Sequence, residues 1–423
     1  MRVRERDRGA VRRAVAWGLA VVAAAGVTAC APPQSANTVN LYYAPEENLQ
    51  AVVDKCNDQA QGRFKIVYHK LPRDADGQRE QMVRRLAAQD DGMDVLGLDT
   101  TWTAEFARAG WIREWTGEDR EQAEAGTLAG PLESARYGGK LFGAPKNTNV
   151  QLLWYRSDVV RKPPRTWDDM IEQARRLKAE GRPSTILIPG AQFEGYVVQY
   201  NTLLASAGGK IISDDGTRAV VDEGAVRALE QLKALADSGL TSPSMSNAQE
   251  DDIRLEFQQG DAAFQLNWPF VYPSMQEDAP EIARDVRWAR YPTSDPNRPS
   301  KVTIGGFNLA VSAYSPRPAA SFDAALCLRS AESQRFSAVN DGVPPTIESV
   351  YAAPEMAAEY PMRETILEEL RDPAIRPITP AYQNVSTVLA KLLSPASAID
   401  PPRTAERMRT EVQNALDSQG VMP

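Results

Sequence analysis

The sequence predicts an α/β protein of two lobes. Three observations point there. At 423 residues the chain is too long for one ordinary hydrophobic core and long enough for two. Its early part alternates strand-like and helix-like segments, the pattern of parallel βαβ units. A second α/β section follows, then a late strand and a mostly helical C-terminal part.

The elements follow in order. TVNLYYA (38–44) reads as a strand, and EENLQAVVDKCNDQA (46–60) has apolar residues at helical spacing. FKIVYHKL (64–71) is a strand. GQREQMVRRLAAQ (77–89) is a helix with Met82, Val83, Leu86 and Ala87 on one face. MDVLGLD (93–99) is a strand rising to Asp99, and WTAEFARAGW (102–111) is a helix directly behind it. YGGKLFGAP (137–145) reads as a hairpin with a Gly-Gly turn. NVQLLWYRSDVV (149–160) reads as one long strand. Thr166 is the N-cap candidate of the helix RTWDDMIEQARRLKAEG (165–181). STILIPG (184–190) is a strand and GYVVQYNTLLASAGG (195–209) a helix. IISDDGTRAVV (211–221) reads as a hairpin and EGAVRALEQLKALADSG (223–239) as an amphipathic helix. DIRLEFQQG (252–260) is a short helix and DAAFQLNW (261–268) a strand. KVTIGGFNLAVS (301–312) is the late strand. SFDAALCLRS (321–330), PMRETILEEL (361–370), AYQNVSTVLAKLL (381–393) and TAERMRTEVQNAL (404–416) are helices.

The N-terminus is separate from this fold. Six arginines in residues 1–13 precede the uncharged apolar run Ala14–Val27. That run is shorter than the roughly 20 residues a bilayer span needs, and it fits the apolar core of an export signal. Val27-Thr28-Ala29-Cys30 then resembles a bacterial lipobox, which implies cleavage before Cys30 and lipidation there. APPQSAN (31–37) reads as a tether. Loss of residues 1–29 removes a net +4, taking the formal charge from −8 to −12. Such acidity argues against a nucleic-acid partner.

Catalytic signatures are missing. One histidine, His69, excludes a multi-His metal site or a His-based triad by count. No phosphate-binding glycine loop, HExxH or GxSxG is present. Carboxylates are plentiful, but no spacing singles out a glycosidase pair. No catalytic residue, metal or cofactor is expected.

The order of motifs adds a family. MDVLGLDTTWTAEFARAGWI, YGGKLFGAPKNTNVQLLWYRSDVV, TWDDMIEQARRL, LASAGG, FQQGDAAFQLNWP, GGFNLAV and RPITPAYQNVS run through nearly the whole mature chain. In this order they resemble the extracellular solute-binding proteins of sugar ABC importers. The pieces LPR, NWPFV and KVTIGGFNLAV are most similar to trehalose-binding lipoproteins of that family. The resemblance implies a periplasmic-binding-protein-like fold, with two α/β lobes, a hinge and an interlobe cleft. It also implies a monomeric lipoprotein on the outer face of the cytoplasmic membrane. Its ligand would be a disaccharide, trehalose, and its partner an ABC permease with its ATPase. An exported glycoside-processing enzyme and a maltodextrin receptor are the rivals. The expected lobes are 38–147 with 302–342, and 148–301 with 343–423.

A sugar presents hydroxyls, which suit carboxylates and amides, and flat apolar faces, which suit aromatic rings. Strand ends and crossing loops should carry those groups. Glu47 and Asn48 follow the first strand, with helix capping as their alternative role. Asp99 ends the third strand, and Asn149 lies at the crossing. Glu250 opens a short helix, where solvated charge is the alternative. Arg376 offers a forked donor, or else an ion pair at a helix end. FEGY (193–196) contributes Glu194 and Tyr196 by resemblance alone. Gly306, with Gly305, lets backbone approach a ligand closely. Phe307 stands where many relatives have Trp. In FQLNWPFVY (264–272), Trp268 is the expected sugar platform, and Phe264, Phe270 and Tyr272 are expected to pack. Cys56 and Cys327 are either two buried thiols or a disulfide, which export permits. The family fold would let them meet in the first lobe.

Overall fold

The computed structural model describes residues 37–418. The expected export signal, Cys30 and nearly all of the tether lie outside those residues.

Strands β1 (Thr38–Tyr43), β2 (Lys65–Lys70) and β3 (Val95–Asp99) form parallel pairs with β1 in the middle. β4 (Arg136–Tyr137) and β5 (Lys140–Leu141) make the short hairpin. β6 (Ala144–Asn149) closes the first sheet, while β7 (Leu152–Arg156), β8 (Thr185–Leu187), β9 (Ala262–Asn267) and β10 (Val286–Ala289) make the second. β11 (Gly305–Val311) returns to the first sheet, antiparallel between β3 and β6. The orders are β2-β1-β3-β11-β6 and β10-β7-β9-β8. These two sheets are the cores of the two α/β lobes.

Local sequence explains the layers. All six residues of β1 are buried, as in a sheet covered on both faces. The helix Leu49–Ala60 covers it with Leu49, Val52, Val53, Cys56 and Ala60, a single helical stripe. Thr166 caps the helix Trp167–Ala179, its side chain accepting from the Asp169 N–H. The helix Glu194–Ser206 is buried nearly all round. Several of its polar side chains find buried partners. Gln199 donates to Gln151 at 2.8 Å and accepts from the Tyr291 hydroxyl at 2.5 Å. Asn201 and Thr202 both donate to the Thr303 hydroxyl at 2.9 Å.

Three sequence expectations change. The long strand 149–160 is two strands, because the chain leaves one sheet at Asn149 and enters the other at Leu152. The late strand starts at Gly305, not Lys301, since Val302–Ile304 pair across to Ala374 in the crossing. The hairpin at 211–221 reduces to one bridge, Ile212 with Ala219. Polar residues fill its tip, so little apolar surface supports a longer ladder. Helices Gly117–Glu124, Ala129–Ser134, Val271–Asp278 and Ala331–Asp341 were not legible in the pattern.

Cys56 and Cys327 form a disulfide between the helices Leu49–Ala60 and Pro318–Leu328, a sequence separation of 271. His69 is satisfied by Asn40 at 3.0 Å and stacks on Tyr42. A cross-link this distant constrains the unfolded chain by up to about 5 kcal/mol. The double variant Cys56→Ser/Cys327→Ser is therefore expected to melt several degrees lower by calorimetry. In the wild type neither cysteine should take up an alkylating reagent until reductant is added.

Candidate functional site

The ends of β3, β6 and β9 converge on the seam between the lobes, where the start of β11 also lies. The carboxyl ends of strands are where α/β sheets place ligands. Here they border a cavity of about 210 Å³. Asp99 ends β3, Asn149 ends β6, and Trp268 follows β9; all three line it.

Arg376 forms the polar floor. Its side chain is only 3% exposed. Nη1 donates to Glu194 Oε1 at 2.5 Å, and Nη2 donates to Asp99 Oδ1 at 3.1 Å and Thr100 Oγ1 at 2.9 Å. Asp99 belongs to the first sheet, whereas Glu194 opens a helix of the second lobe. One guanidinium thus bridges both sides. Burial works against its charge, but Asp99, Tyr382 and Glu194 outweigh that and hold it above the usual arginine range. Burial pushes the Glu194 carboxyl up, and Arg376, Ser386 and Tyr382 pull it back. The Tyr382 hydroxyl donates to Oε1 at 2.6 Å and Ser386 to Oε2. Both Glu194 oxygens are therefore engaged by protein. Asp99 differs: Thr100, Thr101 and Arg376 all reach Oδ1.

Trp268 is positioned by Asn267. The Asn267 amide donates to the Glu250 carbonyl at 3.0 Å, and its Oδ1 accepts from the Trp268 N–H at 2.8 Å. That couple fixes the strand end against the helix Glu250–Gln258. Trp268 lies against the glycine pair: a Cβ on Gly305 would sit 3.2 Å from its ring. Gly306 has φ +117°, and a Cβ there would meet the Asn147 carbonyl oxygen at 2.4 Å. Only glycine fits. Phe307 shows part of its ring to the cavity and packs on Tyr43, centroids 4.9 Å apart.

Glu250 completes the wall. A Cβ on Gly195 would sit 2.4 Å from its Oε1, so the carboxylate closes directly onto the start of the 194–206 helix. Burial pushes the Glu250 carboxyl up to about 7, with Asp251 and Glu194 adding repulsion. Its own backbone N–H and the Trp268 side chain offset part of that.

The cavity thus brings together Asp99, Asn149, Glu194, Glu250, Trp268, Gly306, Phe307 and Arg376. Three candidates lie elsewhere. Glu47 is exposed, and Asn48 donates to Asp341 at 2.7 Å. The end of the helix Ala331–Asp341 thus holds Asn48, and neither residue lines the cavity. Tyr196 is fully buried in the second core. It is two residues past Glu194 on a helix, which turns its ring to another face. Arg376 lines the cavity and also makes the ion pair at a helix start that was its alternative role. Sequence reasoning missed Arg73, Asp74 and Gln78 after β2, and Phe193 and Gln249. The strand-end rule could have found the first three.

The sequence matches the model of the bacterial extracellular solute-binding proteins over residues 47–335. The chain belongs to that family. A Deinococcus radiodurans relative named "Probable ABC transporter-binding protein" is 27% identical over 408 residues, covering 88% of this chain and 94% of that one. Maltose-bound MalE3 of T. maritima superposes with a TM-score of 0.81 at 26% identity, over 89% of this chain and 99% of that one. The cyclic α-maltosyl-1,6-maltose binding protein of Arthrobacter globiformis gives 0.74 at 18% identity, over 90% and 99%, a likeness of fold.

The raised Glu250 carboxyl should make the stability of this solute-binding protein depend on pH. Its folded carboxyl holds a proton to about pH 7, whereas an unfolded glutamate releases it near 4.5. Stability is therefore lost as pH rises from about 4.5 to 7 and is level above. The expected loss is on the order of 3 kcal/mol. Glu250→Gln should remove it. The gap in melting temperature between variant and ligand-free wild type is expected to move in the variant's favour from pH 5 to pH 8. A constant gap across that range would contradict the assignment.

Proposed function

We propose that this protein captures a disaccharide, trehalose, between its lobes and delivers it to the permease of an ABC importer. It would be held at the outer face of the cytoplasmic membrane through a lipidated Cys30. The observation that carries the reading is one cavity lined by an indole together with a fixed set of carboxylate and amide groups. In it Trp268 offers a flat face to a sugar ring. Asp99, with its protein bonds gathered on Oδ1, has Oδ2 to accept a hydroxyl. Asn149 and Glu250 supply further polar contacts, and Phe307 is a smaller second face. Glu194 acts indirectly by holding Arg376. Residues 38–147 with 302–342, and 148–301 with 343–423, would move as the two lobes. Sugar touching both lobes would favour the closed state.

The pieces LPR, NWPFV and KVTIGGFNLAV support trehalose through their likeness to LpqY, the trehalose-binding lipoprotein of a mycobacterial importer. Maltose or a maltodextrin is the second reading, favoured by the likeness to maltose-bound MalE3.

Calorimetry on the folded mature protein tests this with trehalose, maltose and glucose. Trehalose should bind tightest and raise the melting temperature by mass action. Absence of heat with every sugar would sink the reading. Trp268→Ala should weaken binding by about 10- to 100-fold, the loss typical of a central aromatic contact. Asp99→Asn should weaken it too, though it also perturbs Arg376. Full affinity in both variants would remove these residues from the site. Release of glucose from trehalose by the pure protein would favour an enzyme.

A further inference from the structure

The turn after β2 roofs the cavity. Arg73, Asp74 and Gln78 line it from the first lobe, above the start of the 194–206 helix. The turn is tied to the second lobe at two places three residues apart. Arg73 pairs with Asp251 at 3.5 Å, and Asp76 accepts from Gln383 at 2.8 Å. Asp251 follows the wall residue Glu250, and Gln383 follows Tyr382, which binds Glu194. The two ties therefore flank the stretch of wall between Glu250 and Glu194. The space beneath is about 210 Å³.

We infer that the 73–78 turn is a length filter. Closed and tied at both ends, it admits a saccharide of two rings and rejects the same saccharide extended by a third. The inference rests on the saccharide-receptor reading and sharpens it. A receptor for chains needs a cleft open at one end, so that further rings can project into solvent. Here the turn lines the cavity from the first lobe and is tied to the second lobe at Asp251 and Gln383. Each tie is an exposed contact and weak alone. Together they hold the roof against a ligand pushing outward. Asp251 and Gln383 do not line the cavity, so their removal should leave the two-ring fit alone.

The test is calorimetry on the mature protein and on Asp251→Ala/Gln383→Ala. Each is titrated with trehalose and its glucosyl-extended trisaccharide, and with maltose and maltotriose. Whichever disaccharide binds, its one-ring extension should bind the wild type at least about tenfold more weakly. In the double variant that gap should narrow at least about threefold, with the disaccharide affinity nearly unchanged. Gln383→Glu, which sets a carboxylate against Asp76, should narrow it in the same direction. Equal wild-type affinity for two and three rings would overturn the filter and leave the receptor standing. A gap undiminished in both variants would overturn the role of the ties. Binding of no saccharide would overturn the receptor and the filter together.

Discussion

The cavity depends on one buried cation. Arg376 sits between a carboxylate of the first sheet and a carboxylate that opens a helix of the second lobe. Burying a charge costs several kcal/mol unless partners compensate it. Here the compensation is shared by Asp99, Glu194 and the Thr100 hydroxyl, with Tyr382 and Ser386 steadying Glu194 in turn. Taking the arginine away would leave two acids facing one space. The arrangement thus fixes where the walls of the cleft stand, as well as what they are made of.

A second consequence is a division of labour among the acids. Glu194 is fully engaged by protein and acts as scaffold. Asp99 keeps its protein contacts on one oxygen. Glu250 shares its place with an indole and with a helix start whose glycine lets the carboxylate approach closely. Three carboxylates in one cleft therefore have three environments. Composition alone would have treated them alike.

Much of this was legible in the sequence. Helical and alternating periods located the main strands and most long helices, because those periods follow from which face meets the core. Strand ends pointed to Asp99, Asn149 and Trp268 for the same geometric reason. The burial of FQLNWPFVY follows its pattern. Phe264 and Leu266 are buried, Trp268 lines the cavity, and Tyr272 packs edge-on against Trp288. What failed depended on distant chain. Nothing local to Asn48 says that a helix ending at Asp341 will take up its amide. Nothing in LPRDADG says that its turn will reach Asp251 and Gln383. Tyr196 failed for a simpler reason: a motif carried over whole ignores the turn of the helix between its members.

The disulfide has a topological meaning as well as an energetic one. Cys56 and Cys327 enclose every strand of the second sheet, from Leu152 to Ala289, within one covalent ring. The second sheet is a loop of a closed circuit, entered at β6 and left at β11. A protease that cuts once anywhere in that circuit opens it without freeing a fragment. Both pieces stay joined through sulfur, in register with the sheet that anchors them. For a protein working outside the reducing cytoplasm, a single nick is then survivable damage.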